Sequence, residues 1–229
     1  RLMIRGPIEA APLMRLVAAH AYDAGGRLVE TIFSDPQMLL ARYRHAPRDS
    51  FTEHSDWWWK AGLELVEAGG ALLSIGGVDP YLLKGIDSEL IATVQRTEGR
   101  AAVPFSSLIS ADAINWCVVG YATEGWAGRV FPDLPPAEAQ SRLWEERLWQ
   151  AIFRTVRLDA ADPLAAWDAH NANLAARSAW LNGKQYAALH YRGPGTDLTV
   201  GLPENHHWIG GAAPTGIGIT NVANMPTEE

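Results

Sequence analysis

The chain has one cysteine in 229 residues, no long apolar run and no cluster of basic residues. One cysteine cannot form an intrachain disulfide or a thiolate metal cluster, so Cys117, inside the apolar run 114–119, is predicted to be a buried small hydrophobe. No apolar stretch approaches the roughly 20 residues of a membrane span, and nothing near Arg1 resembles a signal peptide. The net charge of −7 disfavours phosphate backbones as partners. We therefore expect a cytoplasmic protein that binds neither membranes nor nucleic acid.

Phosphate-binding loops are also missing. The glycine pairs 25–26, 69–70 and 76–77 lie near strand ends, but none forms GxGxxG after a strand or GxxxxGK[ST]. Helix ends and tight turns account for them. A nucleotide site in this part of the chain is therefore disfavoured.

Residues 2–121 alternate short aliphatic runs with longer helical stretches, which is typical of βαβ units. Strands are predicted at residues 2–5, 27–33, 71–75 and 114–121, with helices in the gaps, including 7–23 and 56–67. The fold class is therefore α/β, with a mainly parallel sheet flanked by helices. The consecutive residues Trp57, Trp58 and Trp59 cannot share one helix face, so at least one ring is expected to cover the sheet and another to lie at the surface.

The pattern changes after Pro135 and Pro136. Two helices, 137–156 and 163–181, are predicted to form a helical hairpin, with Asp162 as the N-cap of the second. A β-hairpin is predicted from strands 186–191 and 198–202. We place a domain boundary near 182–183, which divides the chain into an α/β domain, 1–183, and the start of a second domain, 184–229.

The residues that could carry chemistry are few. His206 and His207 are adjacent on an extended segment, so at most one is expected to face a site. His170 fits a capping or interhelical polar network better than a ligand set. Glu228 and Glu229 follow a proline that holds the backbone extended, so one carboxylate could bind a cation. On spacing alone these glutamates could equally be solvated.

Several segments resemble those of the thermophilic aminopeptidase T and aminopeptidase S family of metallopeptidases. They occur in the family's order along nearly the whole chain: PIEAA at 7–11, AYDAG at 21–25, NWC at 115–117, GWAGRVFP at 125–132, AWDAHN at 166–171, ALHYRGPGTDLTVGL at 188–202 and NMPTEE at 224–229. The GPGTDLTVGL and PTEE segments are the most specific.

The resemblance implies an N-terminal α/β domain and a C-terminal catalytic domain that holds two divalent metal ions, zinc, cobalt or magnesium. The reaction would release N-terminal amino acids from peptides by metal-activated water, with a carboxylate that shuttles the proton. A metal ligand of the family falls in PTEE and aligns with Glu229, less well with Glu228. Asp197, in the GPGTDLTVGL turn, is expected to cap the turn or to orient a metal ligand, with the structural use favoured.

The remaining metal ligands and the catalytic residues of the family would follow Glu229. We therefore expect the chain to be a truncated piece with no catalytic residue of its own, inactive and without bound metal, whose function belongs to the parent enzyme. Two alternatives remain. One is a non-enzymatic interaction module that uses the tryptophans 57–59 and the hairpin; the other, a small-molecule enzyme acting at the carboxyl ends of the strands, has no motif in its favour.

Truncation after residue 229 would leave the hairpin edges unpaired, and unpaired edges invite a second copy. We expect a homodimer of the intact enzyme and self-association of this chain through residues 184–220. Size-exclusion chromatography at high concentration should give an apparent mass above 25.0 kDa. A strict monomer would contradict this expectation.

Overall fold

The computed structural model describes residues 1–132 and 141–226, the side chains of 141–144 excepted. Its α-helices are α1 (Ala11–Asp23), α2 (Pro36–His45), α3 (Trp57–Glu67), α4 (Ser88–Ser110), α5 (Glu124–Val130), α6 (Ser141–Thr155) and α7 (Pro163–Lys184). Its strands are β1 (Leu2–Pro7), β2 (Val29–Ser34), β3 (Ala71–Gly76), β4 (Asn115–Gly120), β5 (Ala188–Gly193), β6 (Thr196–Gly201), β7 (Ala213–Pro214), β8 (Thr220–Asn221) and β9 (Asn224–Met225). Two short 3-10 helices span Ile8–Ala10 and Arg48–Thr52.

The main sheet has the strand order β2-β1-β3-β4-β9, and every neighbouring pair is parallel. From β1 the chain passes to β2 on one side, and it then returns to place β3 on the other side of β1. The strand order therefore changes direction between β1 and β3. The predicted α/β fold with a parallel sheet flanked by helices is confirmed.

Helices cover both faces of the sheet because successive strand residues point to opposite sides. Ile4 and Ile75 pack with Met14 of α1 on one face. On the other face, α3 and α4 cover a cluster of Met3, Leu65, Leu72, Phe105 and Ile114. Both faces are thus closed, as a parallel sheet requires.

The four predicted strands are all present with bounds shifted by one or two residues. The first shift matters most, because β1 continues to Pro7 and the helix predicted from residue 7 begins only at Ala11, after the 3-10 turn. The division of the tryptophans is confirmed as well: Trp57 is 60% exposed, whereas Trp58 and Trp59 pack against the cluster under α3. Trp58 also lies under the guanidinium of Arg5, 5.5 Å from the ring centroid.

The two predicted helices are present as α6 and α7. Residues 137–140 of the predicted first helix lie outside the described residues. Asp162 caps α7 by accepting a hydrogen bond from the backbone N–H of Ala165 at 3.0 Å, which confirms the predicted N-cap. α6 packs on α5 through Leu148 and Ala127. It meets α7 near their connection, where the Trp167 indole donates to the Val156 carbonyl at 2.8 Å.

The predicted β-hairpin is confirmed and is amphipathic. β5 and β6 pair antiparallel around a turn in which Gly195 has φ +74°. Leu189 lies opposite Val200 and Tyr191 opposite Leu198, so these side chains share one face. Tyr191 and Leu198 are each 51% exposed. This apolar face is therefore open to solvent in the described part of the chain.

The short strand β9 was not predicted. It pairs with β4 through Val118 and Val119, and the Val118 N–H donates to the Ala223 carbonyl at 2.8 Å. The Asn221 amide donates to the Trp116 carbonyl at 3.0 Å. The boundary at 182–183 stays a prediction, and residues beyond it contribute this strand to the N-terminal sheet. Over the described ranges, no helix has the length and apolarity that a membrane crossing demands.

Two helical glycines provide a matched test of the packing between α3 and α4. A Cβ on Gly62 would lie 2.8 Å from the buried ring of Phe105, whereas nothing lies within 4 Å of a Cβ on Gly99. We expect Gly62→Ala to lower the free energy of unfolding by about 1–2 kcal/mol, because overpacking outweighs the helix propensity of alanine. Gly99→Ala should raise it by about 0.5–1 kcal/mol. Urea denaturation followed by circular dichroism measures both, and equal effects would contradict the close contact.

Candidate functional site

A crevice of about 560 Å³ lies at the carboxyl edge of the main sheet. Every one of the four long parallel strands supplies residues from its carboxyl end or from the segment that follows it: Pro7 at the end of β1 and Glu9 after it, Pro36 and Gln37 after β2, Val78, Asp79 and Leu82 after β3, and Thr123, Glu124, Gly125, Gly128 and Arg129 after β4. Glu145 of α6 completes the lining. The crevice is thus at the point where the strand order changes direction, where open parallel sheets bind their ligands.

The loops after β3 and β4 are locked together by close backbone approach. Gly77 has φ +142°, and a Cβ there would lie 2.1 Å from the carbonyl oxygen of Tyr121. The hydroxyl of Thr123 donates to the Gly77 carbonyl and accepts from the Trp126 N–H, so it also caps α5. A Cβ on Gly125 would lie 2.8 Å from the Cβ of Asp79. These contacts fix the position of Asp79 relative to α5.

Asp79 and Arg129 form a bidentate ion pair in the wall of the crevice. Arg129 donates from Nε to Oδ1 at 3.1 Å and from Nη2 to Oδ2 at 3.3 Å. Asp79 also accepts from the Tyr81 N–H at 2.9 Å, and the Arg129 guanidinium lies 4.7 Å from the Tyr81 ring centroid. The hydrogen bond from Arg129 is the main cause that lowers the pKa of Asp79, and the same bond raises the pKa of Arg129. The pair is therefore charged at neutral pH.

The remaining charge of the crevice is negative. Glu9 and Glu124 are exposed carboxylates of the lining, and no ion pair joins either of them to another of the described residues. Burial raises the pKa of Tyr121, and the charges of Glu145 and Glu9 raise it further. Because Arg129 is already paired with Asp79, the carboxylates of Glu9 and Glu124 give the crevice an electronegative surface.

A second cavity of about 570 Å³ adjoins the first and shares Val78 with it. It is lined by the carboxyl ends of β3, β4 and β9, including Gly77, Trp126, Asn224, Met225 and Pro226. Pro226 is the last described residue. β9 therefore delivers the chain to the same edge of the sheet as the crevice.

The predicted metal ligands, Glu229 and the less favoured Glu228, lie outside the described residues. Within residues 1–132 and 141–226, no three His, Cys, Asp or Glu side chains are grouped so that they could hold a metal ion. A catalytic metal site needs at least three protein ligands. The described residues alone therefore do not fit the implied metal pair.

The histidines have structural contacts. Arg157, in the connection between α6 and α7, donates from Nη2 to Nδ1 of His170 on α7 at 2.9 Å, so His170 takes part in a polar contact between a helix and a loop. His206 Nδ1 lies 2.9 Å from the Pro203 carbonyl oxygen, with its ring edge-on to Trp208, and His207 is exposed.

Asp197 and Cys117 are also placed by the structure. Asp197 Oδ1 lies 2.7 Å from His190 Nε2, and its Oδ2 lies 3.7 Å from Arg192 Nε. The predicted turn cap is therefore not what the described residues show: the Asp197 side chain turns to β5 and joins a cross-strand cluster with His190 and Arg192. The half-buried thiol of Cys117 has its pKa raised by burial, which disfavours a nucleophilic thiolate.

The sequence analysis assigned no role to the residues of the crevice, although Glu9 and Arg129 lie in two of the family-like segments, 7–11 and 125–132. Glu9, Asp79, Glu124 and Arg129 belong to no spacing pattern, and their common signal is that each follows a predicted parallel strand. The rule for parallel sheets directs attention to those positions as a group, without distinguishing the side chains.

An open parallel sheet with helices on both faces and a crevice at its switch point defines a domain of the α/β class. The profile of the family described as thermophilic metalloprotease (M29) matches residues 1–229. The chain belongs to this metallopeptidase family.

Its relatives are aminopeptidases. Aminopeptidase T of Thermus aquaticus is 41% identical over 228 residues, which are 100% of this chain and 55% of the relative. Aminopeptidase 2 of Geobacillus stearothermophilus is also 41% identical, over 100% of this chain and 54% of its own length. The solved structure of wild-type AmpT from Thermus thermophilus superposes with a TM-score of 0.90 at 37% identity, over 100% of this chain and 55% of that one. The chain thus spans about half the length of these relatives.

The ion pair of the crevice predicts a pH-dependent stability. The lowered pKa of Asp79 means that its contribution is fully present above about pH 5 and is lost as the pH falls below about 4 and through the lowered pKa. We expect Asp79→Asn to lower the free energy of unfolding by about 0.5–1 kcal/mol at pH 7, a value limited by solvent screening of the half-exposed Arg129.

Urea denaturation at pH 7 and at a series of values below pH 4 measures this loss, which should shrink with acidity. The exposed Asp159, which has no ion pair in the part of the chain that the structure describes, provides the control. Asp159→Asn should change stability by less than about 0.5 kcal/mol. A constant difference between Asp79→Asn and the native protein at all pH values would contradict the prediction.

Proposed function

We propose that this chain is the N-terminal portion of a metal-dependent aminopeptidase that releases amino acids from the N-termini of peptides. Family membership and relatives named as aminopeptidases over the full length of this chain support the proposal. Two divalent ions, zinc, cobalt or magnesium, would serve the complete enzyme. The chain as given would be inactive, because most of the metal ligands would belong to the part of the relatives that this chain does not cover.

The observation that carries the proposal is the position of β9. This strand runs parallel to β4 and brings Pro226 to the carboxyl edge, beside Val78 and Gly77. Glu229 follows three residues later, and three residues of extended chain reach about 10 Å. A ligand at Glu229 would therefore lie within about 10 Å of Pro226, which lines the second cavity.

The described residues have a defined part in this proposal. They supply a rigid sheet, the loops that hold Asp79 and Arg129, and an acidic surface beside the chain segment that leads to Glu229. Glu229 would be one ligand, and its carboxylate oxygens suit divalent cations. Since the described donors do not hold a metal by themselves, the other ligands would come from the catalytic domain, whose first part we propose to be residues 184–229.

Peptide substrates follow from the proposed reaction, and the intact enzyme is proposed to be a homodimer. The exposed apolar face of the β5–β6 hairpin supports self-association, because a two-stranded hairpin is marginally stable without a cover. A cytoplasmic location stays a prediction.

The metal ligand is tested in the full-length protein. We expect Glu229→Gln to reduce kcat/KM for a peptide substrate by roughly a thousandfold or more, because an amide oxygen is a weaker ligand than a carboxylate and the metal would be lost. Steady-state hydrolysis and metal content by mass spectrometry measure the two effects together.

Glu228→Gln is the matched control, because it removes the same charge one residue away. It should retain activity within a few-fold and a full complement of metal. Loss in Glu228→Gln alone would move the ligand to Glu228, and full activity in both variants would exclude PTEE from the metal site.

A further inference from the structure

The crevice at the switch point has the size and position of a ligand site. Its volume of about 560 Å³ falls in the usual range of roughly 300–1,000 Å³ for small-ligand pockets. Loops from all four long parallel strands converge on it, and the contacts of Gly77 and Thr123 hold two of those loops in place. The metal chemistry proposed for Glu229 uses none of these residues.

The charges of the crevice indicate what it would bind. Arg129 is the cation of the described lining, and it is held by Asp79 through two hydrogen bonds. Glu9 and Glu124 carry negative charge that no described cation neutralises by an ion pair. An anionic ligand is disfavoured there. An ammonium or guanidinium group could pair with the carboxylates of Glu9 and Glu124. Val78 and Leu82 would contact the apolar stem of the side chain that carries it.

The location relative to β9 indicates which part of a peptide would reach the crevice. Neighbouring strands are about 4.8 Å apart, so the gap between β1 and β3 lies about 12 Å from β9. This distance corresponds to three or four residues of extended peptide. The two cavities join at Val78, so an extended peptide could follow the edge of the sheet from one to the other.

We propose that the switch-point crevice binds a cationic side chain of the peptide substrate, on a residue about three or four positions after the one released, through Glu9 and Glu124. The inference rests on the proposed aminopeptidase function for the identity of its ligand. Glu9 and Glu124 are here specificity-determining residues, remote from the bond that is cleaved.

The test compares two hexapeptides, Leu-Gly-Gly-Lys-Gly-Gly and the same peptide with norleucine in place of lysine, on the full-length protein at low salt. We expect kcat/KM to favour the lysine peptide about fourfold, since each of the two exposed carboxylates contributes roughly twofold. The preference should fall to near one in the double variant Glu9→Gln, Glu124→Gln. It should also shrink in 1 M salt, where the Debye length is about 3 Å.

The matched control is the double variant Glu67→Gln, Glu204→Gln, which changes the net charge equally at exposed positions outside the crevice. It should keep the preference of about fourfold. A native protein without preference, or equal loss in the two double variants, would overturn the proposal. The single variants Glu9→Gln and Glu124→Gln, each expected to lose about half of the effect, cover the case in which the double variant does not fold.

Saturation-transfer NMR with the N-acetylated lysine peptide separates this inference from the proposed function. An aminopeptidase cannot trim the acetylated peptide, so its binding is observed without turnover. Transfer to the lysine methylenes that disappears in Glu9→Gln, Glu124→Gln, even in a protein that hydrolyses neither hexapeptide, would support the crevice and refute the aminopeptidase. The absence of transfer in the native protein would refute the crevice, whatever the activity.

Discussion

The parallel direction of the strands is the constraint on which the site depends. Because β2, β1, β3 and β4 run the same way, their carboxyl ends lie at one edge and the segments that follow them meet there. The two central loops are so close that only glycine fits at Gly77, and the Thr123 hydroxyl holds the Gly77 carbonyl. An antiparallel strand in place of β3 would send its loop to the opposite edge, and the crevice would lose Val78 and Asp79 together.

The long elements were predictable because each carries its own pattern. The strand at 115–120 contains the apolar run 116–119, and α1 ends shortly before Gly25, whose φ of +89° suits a helix stop. The strands β7, β8 and β9 have two residues each, which is too short for any period. β9 exists because Val118 has a free outer edge that the Ala223 carbonyl can reach, and this tertiary fact has no signal in residues 224–225.

The candidate site was predictable only in part, for a similar reason. Glu229 was predicted as a metal ligand from the family resemblance, since two adjacent glutamates have no diagnostic spacing. Glu9 and Glu124 are more than a hundred residues apart in the chain, and only the strand order brings them to one crevice. Asp197 shows the same limit on a smaller scale, because the register of the hairpin places it opposite Arg192 and diagonal to its partner His190, and the turn sequence alone does not indicate these contacts.

The pairing of β9 with β4 also sets an order of assembly. The first four strands are complete at Gly120, whereas Met225 is added about a hundred residues later. At a typical synthesis rate of about 5–20 residues per second, the outer edge of β4 waits about 5–20 s for its partner. An unpaired edge can recruit a strand from another molecule. Until β9 arrives, the nascent chain therefore presents the outer edge of β4 to strands of other molecules.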